Sequence, residues 1–171
     1  MKRTWVAIGL VLGVGAIRPA AAIEVPQNRQ EFVVAVAAGA RGTVTETIVV
    51  DRGFAKVYSS LKEKTAVCLD VTVNRRANVG YLEVSSSDYN PSLRMAGGNR
   101  AEFALQAIHR PRGVGHTPPP GGLYMMAADL RSVGANRTEV VLYAPKMGFK
   151  KITNAFKQWV AGEDAACPKM P

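Results

Sequence analysis

RTEVVLYA, residues 137–144, followed after Pro145 by MGFKKITNAFKQWVA, residues 147–161, decides the fold. The first segment is rich in β-branched residues and reads as a strand that Pro145 ends. In the second segment Phe149, Ile152, Phe156, Trp159 and Val160 recur at helical spacing. Lys150, Lys151 and Lys157 lie opposite, so the segment reads as an amphipathic helix with one apolar face. Gly162 is placed to end it. A period of two giving way to a period of 3.6 implies a sheet covered by helices.

The pattern recurs towards the N-terminus. TVTETIVV, residues 43–50, reads as a strand, and Asp51 offers a side-chain cap for a helix over Gly53 to Leu69. In that helix Phe54, Val57, Leu61 and Cys68 share one face, with Tyr58 and Thr65 beside them, while Lys56, Lys62, Glu63 and Lys64 face outward. Between the two helices, Val71–Val73, Val79–Ser85, Ala101–Ile108 and Leu123–Leu130 read as strands. Ser86 to Asn99 reads as turns, on Asn90-Pro91 and Gly97-Gly98, and Val133 to Asn136 as a turn. Residues 109–122 (HRPRGVGHTPPPGG) read as an exposed loop. Glu31 to Ala38 reads as a short strand in an N-terminal lead-in, 23–42. Consecutive strands with short connections pair antiparallel, and a helix with one apolar face packs on a sheet. The expectation is an α+β domain over 43–171 in two layers, an antiparallel sheet with two helices on one face.

The N-terminus reads as a secretory signal peptide: Lys2 and Arg3, an apolar run from Trp5 to Ile17, then Pro19 and Ala20-Ala21-Ala22. The apolar run is shorter than the roughly 20 residues that span a bilayer. Cleavage after Ala22 is expected, leaving a periplasmic or secreted chain that starts at Ile23 and has no transmembrane segment. Loss of Lys2, Arg3 and Arg18 leaves 19 basic against 13 acidic residues, a net +6. That excess favours weak contact with anionic surfaces. The basic residues are scattered and not interleaved with aromatics, which argues against a nucleic-acid partner.

The chain has two cysteines, Cys68 and Cys167. Export makes a disulfide permissible, the count leaves none over, and each lies at or just past the end of an expected helix. A Cys68–Cys167 bridge is therefore expected.

The inventory for chemistry is thin. His109 and His116, the only histidines, both fall in the 109–122 loop, with no carboxylate between them to complete a metal site. No Gly-x-Ser-x-Gly elbow and no glycine-rich phosphate loop is present. Neither a metal nor a cofactor is expected. The acids Asp51, Glu63, Asp70, Glu83 and Asp129 could form an acid–base pair only if the fold brings two of them together. Tyr124, Met125, Met126, Phe149, Phe156 and Trp159 read first as core. Where a long helix covers a sheet, the same residues could line an apolar ligand cavity.

Tyr58, Leu61 and Cys68 closing the first helix, with Trp159, Gly162, Cys167 and Pro168 closing the chain, resemble small proteobacterial envelope proteins, many of them lipoproteins. The resemblance implies an envelope location and carries over no catalytic residues. Lipid attachment is not implied, because no cysteine stands at the cleavage site. The leading expectation is a non-catalytic envelope domain that binds or supports an unknown envelope protein. The alternative is a carrier of a lipid or other apolar ligand, and the second alternative is a carboxylate-based hydrolase.

Overall fold

The computed structural model describes residues 25–78, 82–110 and 118–171. The expected signal segment, Val79 to Tyr81 of an expected strand, and residues 111–117 of the Pro/Gly-rich loop, with His116, lie outside the described residues. The order of elements is α1 (Arg29–Ala37), β1 (Thr43–Val50), α2 (Phe54–Leu69), β2 (Val71–Asn78), β3 (Leu82–Met95), β4 (Arg100–Arg110), β5 (Leu123–Gly134), β6 (Arg137–Pro145) and α3 (Lys150–Ala161). The six strands form one sheet in the order β1-β6-β5-β4-β3-β2, with every neighbouring pair antiparallel. β1 and β2 are adjacent in the chain's run of strands yet occupy opposite edges, so α2 has to carry the chain across. Its 16 residues span about 24 Å at 1.5 Å each, which matches five inter-strand gaps of about 4.8 Å.

The helices α2 and α3 share one core with the sheet. Val57, Leu61 and Leu69 of α2 and Ile152, Phe156 and Trp159 of α3 meet Phe103, Leu105, Met126, Leu130, Val140 and Leu142. Phe103 and Phe156 pack ring to ring, with centroids 5.0 Å apart. The alternate strand residues, Ala127 and Tyr143, belong to a second cluster with Phe32, Val33 and Val36 of α1. Successive strand residues point to opposite faces, so three helices, not two, flank the sheet. The segment expected as a strand from Glu31 to Ala38 is α1. Its three valines suggest a strand, but Asn28 accepts a hydrogen bond from the Glu31 amide at 2.9 Å and Glu31 accepts one from the Gln27 amide at 2.7 Å. That reciprocal capping starts a helix.

Further expectations are corrected: His109 and Arg110, expected in the loop, end β4, and Val133 and Gly134, expected in a turn, end β5. Ser86 to Met95 is strand, not turn. β2 pairs with β3 only as far as Val71 opposite Tyr89, whereas β4 pairs on to Met95. Pro91 therefore sits on a stretch of edge, where a missing N–H costs no ladder bond. The turn itself is confined to the Gly97-Gly98 region, both with positive φ. Asp51 does not cap α2. Gly53 is the N-cap and makes no side-chain bond, while Asp51 is 94% exposed and 3.6 Å from Arg137. The useful residue is its neighbour. Arg52 donates to the carbonyls of Trp159 and Val160 at the end of α3, and Thr138 donates to the Arg52 carbonyl at 2.7 Å. A cation at a helix C-terminus is favoured by the helix dipole.

Cys68 and Cys167 form a disulfide. It ties the end of α2 to the C-terminal tail, which turns back beneath the sheet. The tail is held again where the Trp159 indole donates to the Ala165 carbonyl at 3.0 Å, where Met170 is buried, and where the Tyr89 hydroxyl donates to the Pro171 carbonyl at 3.1 Å.

Candidate functional site

The tail's last residue forms one wall of an open groove of about 500 Å³, lined by Arg75, Ser85, Ser87, Tyr89, His109, Met125, Phe149 and Pro171 among others. The strand register explains the convergence. Tyr89 stands opposite Val71 and Ala107, Ser87 opposite Val73 and His109, and Ser85 opposite Arg75. Cross-strand partners share a face, and Tyr89 belongs to the core shared with α2 and α3. These residues thus extend the helix-side face past the ground that the two helices cover.

Met125 reaches the same side through a bulge. Leu105 pairs with Met126 but Gln106 pairs with Tyr124, which leaves Met125 as an extra residue on β5. An extra residue breaks strict alternation and re-aims a side chain. Met125 and Met126, consecutive in the chain, consequently both pack with the helix-side core. The groove floor is therefore apolar, built from Met125, Phe149 and the ring of Tyr89. Burial pushes the Tyr89 phenol above the usual tyrosine range, with Arg75 and Ser87 pulling it partly back. The rim is polar: Ser87 Oγ and His109 Nδ1 are 2.8 Å apart, on the exposed side. Among the described residues no carboxylate completes that pair into a triad, and no group of His, Cys, Asp and Glu could hold a metal ion.

The six residues expected for an apolar cavity divide. Met125 and Phe149 line the groove. Met126, Phe156 and Trp159 are fully buried core. Tyr124 lies in the α1 cluster, its ring 6.0 Å from Phe32. Arg75, Ser87, Tyr89, His109 and Pro171 are groove residues that sequence reasoning missed. Reading β3 as one strand to Met95 would have aligned Ser85, Ser87 and Tyr89 on one face.

The acids that do converge are paired. Glu102, Asp129 and Glu139 line a smaller hollow. Arg29, largely buried, donates to the Phe103 and Ala128 carbonyls and to Asp129. Arg94 bonds Glu102 at 2.8 Å, and Arg131 bonds Glu139 at 2.7 Å, holding its carboxyl below the usual range. A general acid needs the opposite shift. Of the other acids considered, Asp51 is exposed, Glu63 lies beside Lys64 and Cys167 in a surface hollow, and Asp70 is exposed. The side chain of Glu83 lies outside the described residues.

No protein-family model matches the chain, and no curated protein matches it. Among solved structures it is similar to a START superfamily protein from Mycobacterium smegmatis, at 14% identity over 70% of this chain and 92% of that one, with a TM-score of 0.34. It is also similar to Ara h 8.0201, at 8% identity over 70% and 95% of the two chains, with a TM-score of 0.36. A third is the di-domain ARO/CYC protein BexL from the BE-7585A biosynthetic pathway, at 14% identity and a TM-score of 0.35, where the match covers 71% of this chain and 45% of that one. Overlaps of this size assign no ligand to the chain, and its own residues have to do so.

Proposed function

We propose that the mature chain is an exported carrier of an apolar or amphipathic small molecule, held in the groove between the sheet and the C-terminal tail. The observation that carries the reading is the bulge at Met125, which turns a flexible apolar side chain into a concavity already floored by Phe149 and Tyr89. A concave site of a few hundred cubic ångströms with an apolar floor and few polar groups suits a small ligand. Methionine adapts its shape to what it contacts. The hydroxyl and imidazole rim of Ser85, Ser87 and His109 would face the polar end of an amphiphile. Export is supported by the signal-peptide layout of residues 1–22 and by the Cys68–Cys167 bridge, which an oxidising compartment preserves.

Native mass spectrometry of protein purified gently from a bacterial periplasm tests both parts. A chain that starts at Ile23 and is lighter by two hydrogens supports export and oxidation. Added mass that leaves on denaturation, and that is missing from Met125→Arg, supports the carrier and names its ligand class. A clean ligand-free mass, together with no uptake of a fluorescent fatty acid, would overturn it. Binding of an envelope protein would then be the better reading, and crosslinking in intact envelopes the way to find the partner.

A further inference from the structure

We infer that Lys146, Met147, Lys150, Lys151 and Lys169 form a docking patch for an anionic lipid bilayer at the mouth of the groove. The inference rests on the carrier reading for its purpose and gives it a place to load and unload.

Met147 is the most exposed large apolar side chain among the described residues, at 85%. It stands between lysines: Lys146 precedes it, and Lys150 and Lys151 follow after Gly148 and Phe149. Lys150, Lys151 and Lys169 line one shallow hollow together with Gly148, Met170 and Pro171. All four lysines are exposed, and none is in an ion pair among the described residues, whereas Lys64 and Lys157 are paired to Asp164 and Glu46. Phe149, next to Met147, and Pro171, next to Met170, are also walls of the groove. The patch and the groove thus share a wall.

The positions of the lysines run against local preference. Lys150 and Lys151 occupy the first turn of α3, which holds no acid and whose N-cap, Phe149, supplies no side-chain bond. The positive end of a helix dipole disfavours cations, and folding alone would place acids there. A local conflict of this kind in an otherwise consistent fold points to function. The arrangement suits a bilayer better than an acidic protein. A lone unpacked methionine with exposed lysines before and after it in the chain matches an acyl boundary beneath anionic headgroups.

Vesicle sedimentation with the full mature chain tests the inference, using phosphatidylcholine vesicles with and without phosphatidylglycerol at low and high salt. Binding is expected only with phosphatidylglycerol and should fall as salt screens the lysines. Each lysine near an anionic surface contributes roughly fivefold in binding. Lys150→Ala with Lys151→Ala should therefore weaken binding by about one order of magnitude or more. Lys56→Ala with Lys62→Ala, an equal loss of charge from the exposed face of α2, should leave it within about twofold. Met147→Asp should also weaken binding. No binding to phosphatidylglycerol vesicles, or equal loss in the two lysine pairs, overturns the inference. The carrier reading is scored separately by the ligand mass that the unsubstituted chain carries in native mass spectrometry. A retained ligand without vesicle binding removes the docking patch alone, and vesicle binding without a ligand removes the carrier alone.

Discussion

Replacing both cysteines, Cys68→Ala with Cys167→Ala, perturbs the fold and the groove by separate routes. The bridge joins residues 99 apart in the chain. In the chain-entropy account a closed loop of that size raises folded-state stability by about 4.7 kcal/mol, by restricting the unfolded chain. For a domain of about 150 residues that corresponds to roughly 10–15 °C in Tm. The loss should appear in equilibrium urea unfolding followed by circular dichroism, with a steeper dependence on urea, because the released unfolded chain exposes more surface. The groove should respond as well. Without the bridge, the tail is held by the Trp159–Ala165 and Tyr89–Pro171 hydrogen bonds, the Lys64–Asp164 ion pair and buried Met170. Fatty-acid uptake should fall further than global stability at working temperature accounts for. A stability loss below about 1 kcal/mol, with unchanged urea dependence, would refute the reasoning.

Gly162→Ala should cost about 1–3 kcal/mol in the same unfolding assay, because the residue has φ +90° and a Cβ there would lie 2.6 Å from the Arg52 guanidinium carbon. Arg52→Ala should cost about 1–2 kcal/mol by uncapping the Trp159 and Val160 carbonyls, and the two losses should not add, since both act on one helix end. Arg29→Ala should loosen α1 specifically, seen as faster amide exchange over 29–37 with β1–β6 protection largely kept, because Arg29 bonds the sheet carbonyls of Phe103 and Ala128 and pairs with Asp129. Tyr89 and Tyr143 should titrate above free tyrosine in ultraviolet absorbance, burial being the main cause for each. Their folded values are raised, so the stability they contribute is complete below the unfolded tyrosine value of about 10 and is lost as pH climbs through the folded values. Tyrosines that all titrate normally would remove that account.

The parts of the fold that were legible have one period and one neighbour type. Residues 137–161 and 43–69 each switch from strand to helix, and the apolar faces of α2 and α3 lie where the spacing puts them. α1 was not legible by period. Its buried Phe32, Val33 and Val36 make too short a stripe, and its valines favour a strand. The capping pattern from Asn28 to Glu31 was the readable signal. The far half of β3 was hidden by Asn90-Pro91 and Gly97-Gly98, which read as turns until the sheet order shows that β2 pairs with β3 only as far as Val71 opposite Tyr89. Edge status is a tertiary fact, and it is what makes the proline acceptable.

The groove was illegible for a deeper reason. Its floor depends on a register, and a register shift moves a side chain to the other face without changing a letter of the sequence. Met125 and Met126 are adjacent, so an unbroken strand would send one to the α1 side and the other to the core shared with α2 and α3. The bulge sends both to the helix side, yet only Met126 is sealed in the core shared with α2 and α3, while Met125 is left at the groove. Tyr124, one residue earlier, goes to Phe32 on the opposite face. The wall opposite depends on the tail, and the tail on the bridge from Cys167 to Cys68, with Met170 as its last buried anchor. A bulge on β5 and a covalent tie at the end of α2 together keep a space open where two helices of this length leave the sheet uncovered. The disulfide therefore bears on the groove as well as on stability, since reducing it should release the Pro171 wall before the Met125 floor is lost.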